Sequence, residues 1–219
     1  MPLVLYGHPF SSYTQKVLIV LYENATPFEL RTIYGGLPEH FADWARRWPL
    51  RKFPVLVDGE RQVAESSIIN EYLQLAHPGP VRLMPDDAGD QLDMRFMERF
   101  FDLHVMDAAQ HAVNGALSGD EAKRRDGLQT SIGKLEPAYA WLEENLPEAD
   151  WACGAQYTLA DCAASPALFY ADWVHPIPDA LPRLRAYRSR LLARPAFARA
   201  VDEARPFRSL FPLGAPARD

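Results

Sequence analysis

The chain has 219 residues, 48% of them hydrophobic, enough for one large globular domain or two small ones around a buried core. Asp and Glu number 29 against 23 Lys and Arg, a formal net charge of -6, which disfavours a nucleic-acid partner. No apolar run approaches the ~20 residues of a membrane span, and Cys153 and Cys162 lack the Cys-x-x-Cys spacing of redox or metal motifs and read as small buried side chains. Met1-Pro2 is followed at once by an apolar strand, which leaves no room for a signal peptide and makes a cytoplasmic location the expectation.

Leu3 to Tyr6 are apolar and β-favouring, Gly7 and Pro9 break the run, and Ser12 with Gln15 three residues on has the form of a capping box. This predicts a short strand, a tight turn and a helix from Ser12 to Tyr22, whose apolar VLIVLY stretch implies burial on most sides. Only one serine is needed as the cap. Ser11 and Ser12 are therefore either cap and turn residues alone, or a cap at Ser12 beside a free hydroxyl at Ser11. In the second case the hydroxyl sits among unpaired N–H groups at the positive end of a helix dipole, where an anion is stabilised.

Glu23 to Pro27 ends this helix, and Phe28, Leu30 and Thr32 alternate with Glu29, Arg31 and Ile33 as a second strand, the pattern of a parallel βαβ unit. After a loop at Gly35-Gly36, Leu37, Phe41, Trp44 and Trp48 recur at helical spacing between Pro38 and Pro49. Val55-Leu56-Val57 and Gln62-Val63-Ala64 flank Asp58-Gly59, a hairpin signal, and Glu65-Ser66-Ser67 opens a helix with Ile69, Tyr72 and Leu73 inward. The order is β-α-β-α-β-β-α.

That order, with Phe53-Pro54 before a strand and Glu65-Ser66 at a helix start, resembles the thioredoxin-like N-terminal half of the cytosolic glutathione transferases. Gly7-His8-Pro9-Phe10-Ser11 is similar to the turn of the phi class, and the spacing from Tyr6 to Ser11-Ser12 to that of the zeta class. The resemblance implies a serine-type (phi-, zeta- or theta-like) enzyme in which Ser11 donates a hydrogen bond to the glutathione sulfur. It implies that Pro54 is cis, that the Phe53 backbone pairs with the glutathione peptide, and that Lys52, Glu65 and Ser66 contact the tripeptide. Tyr6, which other classes use at the end of the first strand, and Ser12 are the rivals of Ser11. Trp48 and Phe53 depart from the Asn and Val usual at these positions, so the class is not assigned. Metal is not expected.

Residues 77–88, rich in Pro, Gly and Asp, read as a linker, and everything beyond is helical in pattern. Asp90 to Val113 carries Leu92, Phe96, Phe100 and Leu103 on one face and Met94, Met97, Phe101 and Val105 nearly opposite, so it needs two apolar neighbours: its own core and, by the resemblance, a second subunit. His104, Asp107 and His111 fall on one side of this helix and are read three ways: a metal or acid–base cluster, the polar wall of an electrophile cleft, or a solvated face. A later stripe from Ala122 to Leu146 is expected to bend or break at Pro137. Thr158-Leu159-Ala160-Asp161 is a capping box before an apolar helix. With Trp151 and Gly154 it resembles the signature of the transferase C-terminal domain, where its role is folding. Arg183 to Arg208 holds eight arginines, read as a solvated face around Leu184, Tyr187 and Leu191. Phe207, Leu210, Phe211 and Leu213 form a tail able to fold over the cleft with Tyr170 and Trp173.

The expectation is a thioredoxin-like α/β glutathione-binding domain over 1–76, a linker over 77–88 and an all-helical domain over 89–219 that contributes the electrophile site. Its substrates are glutathione and a small hydrophobic electrophile, and it forms a homodimer. The alternatives are a glutathione-dependent isomerase of the maleylacetoacetate-isomerase kind, or a non-catalytic protein-interaction module. The helix start Ser-Ser-Tyr-Thr-Gln-Lys differs from the Ser-Ser-Cys-x-Trp-Arg of the zeta class, which counts against the isomerase.

Overall fold

Side-chain alternation along the first strand sorts the first half of the chain into two cores. In β1 (Leu3–Gly7), Leu3 and Leu5 are buried on one face of a sheet, while Tyr6 is buried on the other against Trp44. This computed structural model describes residues 2–34 and 37–219, so the loop expected at Gly35-Gly36 lies outside the described residues. β1 pairs in parallel with β2 (Phe28–Thr32) and antiparallel with β3 (Val55–Asp58), which pairs antiparallel with β4 (Arg61–Ala64), giving the order β2-β1-β3-β4. Asp58 pairs with Arg61, so the hairpin turn is Gly59-Glu60, one residue later than expected, with Gly59 at φ 58° where a side chain is disfavoured.

α1 (Ser12–Glu23) is buried from Thr14 to Leu21, as its apolar run implies, and packs against α3 (Ser66–Ala76) on one face of the sheet. α2 (Pro38–Arg47) covers the other face through Trp44. This is the thioredoxin-like α/β arrangement expected.

The second half is helical. The single helix expected from Asp90 to Val113 is instead α4 (Ala88–Phe100), a π-helical turn (Phe101–Met106) and α5 (Asp107–Leu117). A π turn holds one residue more than an α turn, so a face counted at α spacing slips by about one position through it. The inner face of Met94, Met97, Phe101 and Val105 is buried as expected, and Leu92, Phe96 and Leu103 are exposed. α6 (Glu121–Asn145) runs through Pro137 as one helix, without the break that is one of the two outcomes expected there. The proline removes one N–H donor, and packing of Leu135, Ala138, Tyr139 and Leu142 holds the helix across the gap.

α7 (Leu159–Val174) is buried from Leu159 to Trp173 and starts at the expected capping box of Thr158 and Asp161. Asp161 also accepts from the Ala152 N–H at 2.9 Å and Tyr187 Oη at 2.7 Å, tying this start to α8 (Pro182–Ala193). Leu184, Tyr187 and Leu191 are buried, and arginines around them are paired, Arg188 with Asp172 at 3.2 Å and Arg194 with Glu23 at 2.7 Å. α9 (Pro195–Ala204) and a 3₁₀ turn (Arg205–Leu210) lead into the tail. Among the described residues no helix is long and apolar enough to cross a membrane.

Candidate active site

The turn between β1 and α1 is held by side chains from well outside it. Gln15 Nε2 donates to the Pro9 carbonyl at 2.9 Å, and Tyr170 of α7 donates its hydroxyl to the Phe10 carbonyl at 3.0 Å. Within the turn, the Phe10 N–H donates to His8 Nδ1 at 3.1 Å and the Ser11 N–H to the His8 carbonyl at 2.9 Å. Ser11, not Ser12, is the N-cap of α1: its backbone is extended and its Oγ accepts the Thr14 N–H at 3.3 Å. Ser12 is the first helical residue, and Gln15 is spent on the turn and on Tyr170 rather than on a capping box. Capping uses a lone pair of Ser11 Oγ, and among the described residues no acceptor takes its proton. The hydroxyl is free to donate.

Two cavities meet near this turn. The smaller, about 300 Å³, is lined by Lys52, Phe53, Pro54, Glu65 and Ser66 together with Tyr13, Trp48, Ser67, Arg99, Asp102 and Leu103. The Phe53-Pro54 bond is cis, and Trp44 Nε1 donates to the Lys52 carbonyl at 3.1 Å, which pins the segment from inside. Glu65 holds φ 69° and caps α3 without a side-chain hydrogen bond, so the first N–H groups of α3 are left for a ligand. The larger cavity, about 580 Å³, contains Ser11, Ser12 and Arg51 and shares Tyr13, Lys52 and Phe53 with the smaller. Burial first, then the carboxylates of Asp102, Asp107 and Glu65, push the Tyr13 phenol up, so it remains protonated at neutral pH.

Of the cleft candidates, Asp107 and Tyr170 line the larger cavity. His104 and His111 do not. The lining positions on α5 are Asp107, Gln110, Val113, Asn114 and Leu117, and His111 lies one residue, about 100°, round from Gln110. His104 falls within the π turn and packs on Phe100, ring centroids 5.1 Å apart. Trp173 is a layer further back, 5.2 Å from Phe211, which with Leu210 and Pro212 does line the cavity. The tail thus folds back as expected, with Phe207 edge-on to His8 at 4.7 Å. Tyr6 touches neither cavity; its hydroxyl donates to Asp43 and accepts from Arg31 at 2.8 Å on the α2 face of the sheet. Among the described residues no group of three or more His, Cys, Asp or Glu is placed to hold a metal ion.

The reading of the sequence missed Lys16, Arg51 and Tyr13. Lys16 is fully buried on α1, where Nζ lies 2.7 Å from both Glu98 and Asp102 and 3.0 Å from Ser67 Oγ. Burial raises Glu98 but the pull of Lys16 outweighs it and holds the carboxyl below its ordinary value, while burial keeps Asp102, facing the smaller cavity, above its own. Two carboxylates share one ammonium. The signal was available: a lysine inside an apolar helix demands a partner, and Glu98 and Asp102 stand four residues apart on the inner face of the next long helix.

The family profile described as the glutathione S-transferase N-terminal domain matches residues 5–81, and the glutathione S-transferase C-terminal domain matches residues 110–190. The structure is similar to that of a glutathione S-transferase from Methylobacterium radiotolerans in complex with glutathione sulfonate, at 34% identity and TM-score 0.75, covering 92% of this chain and 95% of that one. It is also similar to a glutathione S-transferase from Methylobacillus flagellatus with glutathione bound, at 25% identity and TM-score 0.78, covering 90% of this chain and 98% of that one. A protein from Vibrio cholerae described as a probable maleylacetoacetate isomerase is 28% identical over 216 residues, 94% of this chain and 98% of its own. With family matches over both halves and a likeness at 34% identity along almost its whole length, the chain belongs to the glutathione S-transferase family.

Proposed function

We propose that the chain is a serine-type glutathione transferase in which residues 1–76 bind glutathione, 77–88 link, and 89–219 supply the electrophile side. The observation that carries the reading is that two cavities share Tyr13, Lys52 and Phe53 while Ser11, its proton unclaimed, lines the larger. Glutathione lies in the smaller cavity, its peptide along Phe53 before cis Pro54, its carboxylates toward Lys52 and the open start of α3 at Glu65 and Ser66. Its sulfur reaches toward Ser11.

Ser11 Oγ, already accepting the Thr14 N–H, is polarised and so becomes a better donor to a thiolate. A hydrogen bond to a charged acceptor is worth about 1.5–3 kcal/mol, and each tenfold change in thiol acidity needs about 1.4 kcal/mol. One serine therefore accounts for a thiolate at neutral pH. The thiolate attacks an electrophilic carbon, a C–S bond forms, and the leaving group departs with the bonding pair. The likeness to the Vibrio cholerae protein favours a second reading, glutathione-dependent isomerisation, in which glutathione is regenerated rather than consumed.

The test is an ultraviolet titration of bound glutathione in the unaltered protein and in Ser11→Ala, Ser12→Ala and Tyr6→Phe. Loss of the neutral-pH thiolate in Ser11→Ala alone is expected. If Ser12→Ala or Tyr6→Phe abolishes it instead, Ser11 is not the donor. Glutathione consumption during turnover separates transfer from isomerisation.

Association into a homodimer through α3 and α4, and a cytoplasmic location, belong to the same reading. Ile68, Leu75, Leu92 and Phe96 are more than half exposed, and Arg95 binds Glu71 through Nε at 2.8 Å, joining the two helices beside this apolar face.

A further inference from the structure

The electrophile cavity is not uniformly apolar. Phe10, Met106 and Phe211 form apolar wall, Asp107 adds one carboxylate from α5, and Arg51 and Lys52 stand on the loop before cis Pro54, so cations outnumber the acid. Lys52 lines both cavities; Arg51 lines only the larger one. Among the described residues neither makes an ion pair, whereas Arg188 and Arg194 in the second half are paired. Arg51 also holds φ 53°, a left-handed conformation that a non-glycine side chain adopts at a cost, with its N–H donating to the Trp48 carbonyl at 2.9 Å. An exposed arginine kept in a strained backbone at a cavity mouth, with no carboxylate of its own, is a guanidinium fork offered to a ligand.

We infer that the electrophile carries a carboxylate, bound by Arg51, with its apolar body against Phe10, Met106 and Phe211 and its reactive carbon over Ser11. This rests on the transferase reading of the same site and narrows its substrate from small hydrophobic electrophiles to amphipathic acids. The carboxylate of the glycyl end of glutathione is the competing source of the same chemistry. Arg51 shares the larger cavity with Phe10, Met106 and Phe211, whereas Lys52 lines both cavities, and the KM for glutathione in an Arg51 variant separates the two sources.

The probes are 4-chloro-3,5-dinitrobenzoate and its methyl ester, which differ in charge and share one reaction. The glutathione sulfur bonds to the ring carbon bearing chlorine, chloride leaves with the C–Cl pair, and the thiol proton passes to solvent. Relative to the uncatalysed reaction of each probe with glutathione, the unaltered protein is expected to prefer the carboxylate in kcat/KM. Arg51→Gln is expected to lower the ratio of carboxylate to ester kcat/KM about tenfold, Arg51→Lys, which keeps the charge but not the fork, to lower it less, and KM for glutathione not to follow the ratio. A ratio unchanged in Arg51→Gln, or a loss expressed only in KM for glutathione, overturns the assignment while leaving the transferase reading standing. Glutathione that fails to bind by calorimetry, with neither probe consumed, overturns both.

Discussion

His8 shows how one residue joins turn geometry to pH. Its Nδ1 accepts the Phe10 N–H, so that nitrogen carries no proton in the folded chain, and burial holds the imidazole below its ordinary value. Below an ordinary imidazole value of about 6.5, the unfolded chain takes up a proton that the folded chain refuses. Stability is therefore complete above that value and falls as pH drops below it, by no more than about 1.4 kcal/mol per pH unit for one group. Denaturant unfolding between pH 5 and 7.5 should show this decline in the unaltered protein and a flatter profile in His8→Asn, whose side-chain oxygen still accepts the N–H. Parallel profiles would remove His8 from the account. The folded chain itself takes up this proton only at lower pH, where the turn that presents Ser11 loosens, so the proposed thiolate should outlast the onset of the stability decline.

At the scale of elements, the wall of the larger cavity depends on how closely α5 meets α6. A Cβ added at Gly127 would lie 2.5 Å from the His111 carbonyl oxygen, and one at Gly115 would lie 2.5 Å from that of Lys123. Both obstacles are backbone, which cannot rotate away. Buried Ser131 adds a stitch, accepting the Ala112 N–H at 2.9 Å and donating to the Ala108 carbonyl at 2.7 Å. Gly127→Ala should destabilise the protein by about 1–3 kcal/mol, the usual effect of overpacking. Gly133→Ala, in the same helix with nothing within 4 Å of the new methyl, should stabilise it by up to about 1 kcal/mol. Melting curves of the two variants check the pair, and equal shifts would show that helix propensity alone governs both. The two glycines are indistinguishable in the sequence, where each is a small residue inside a helical pattern.

At the scale of the whole molecule, the exposed apolar face of α3 and α4 is the surface proposed above to meet a second copy. Phe96→Glu places a charge at its middle, and sedimentation should find a dimer in the unaltered protein and a monomer in the variant. A monomer in both would leave this face without the proposed role. How much of the molecule was legible beforehand follows the range of each interaction. The strand–helix order of the first half, the buried α1 and the capping box at Thr158 and Asp161 were legible because each rests on spacings of two to four residues. The placement of Lys52, Phe53, Pro54, Glu65 and Ser66 around one cavity was legible only through family resemblance.

By itself, then, the sequence determined the elements, their order and the class of fold, since backbone propensity, capping and alternation act between near neighbours. Only the tertiary structure decided which serine caps α1, since the choice turned on Gln15 being drawn away to Pro9 and Tyr170. It alone turned Tyr6 toward Asp43, paired Lys16 with Glu98 and Asp102 more than eighty residues on, and set Arg51 in the larger cavity. The reason is physical: buried charges and cavity walls are completed by partners distant in the chain, and their geometry exists only once helices and sheet have packed.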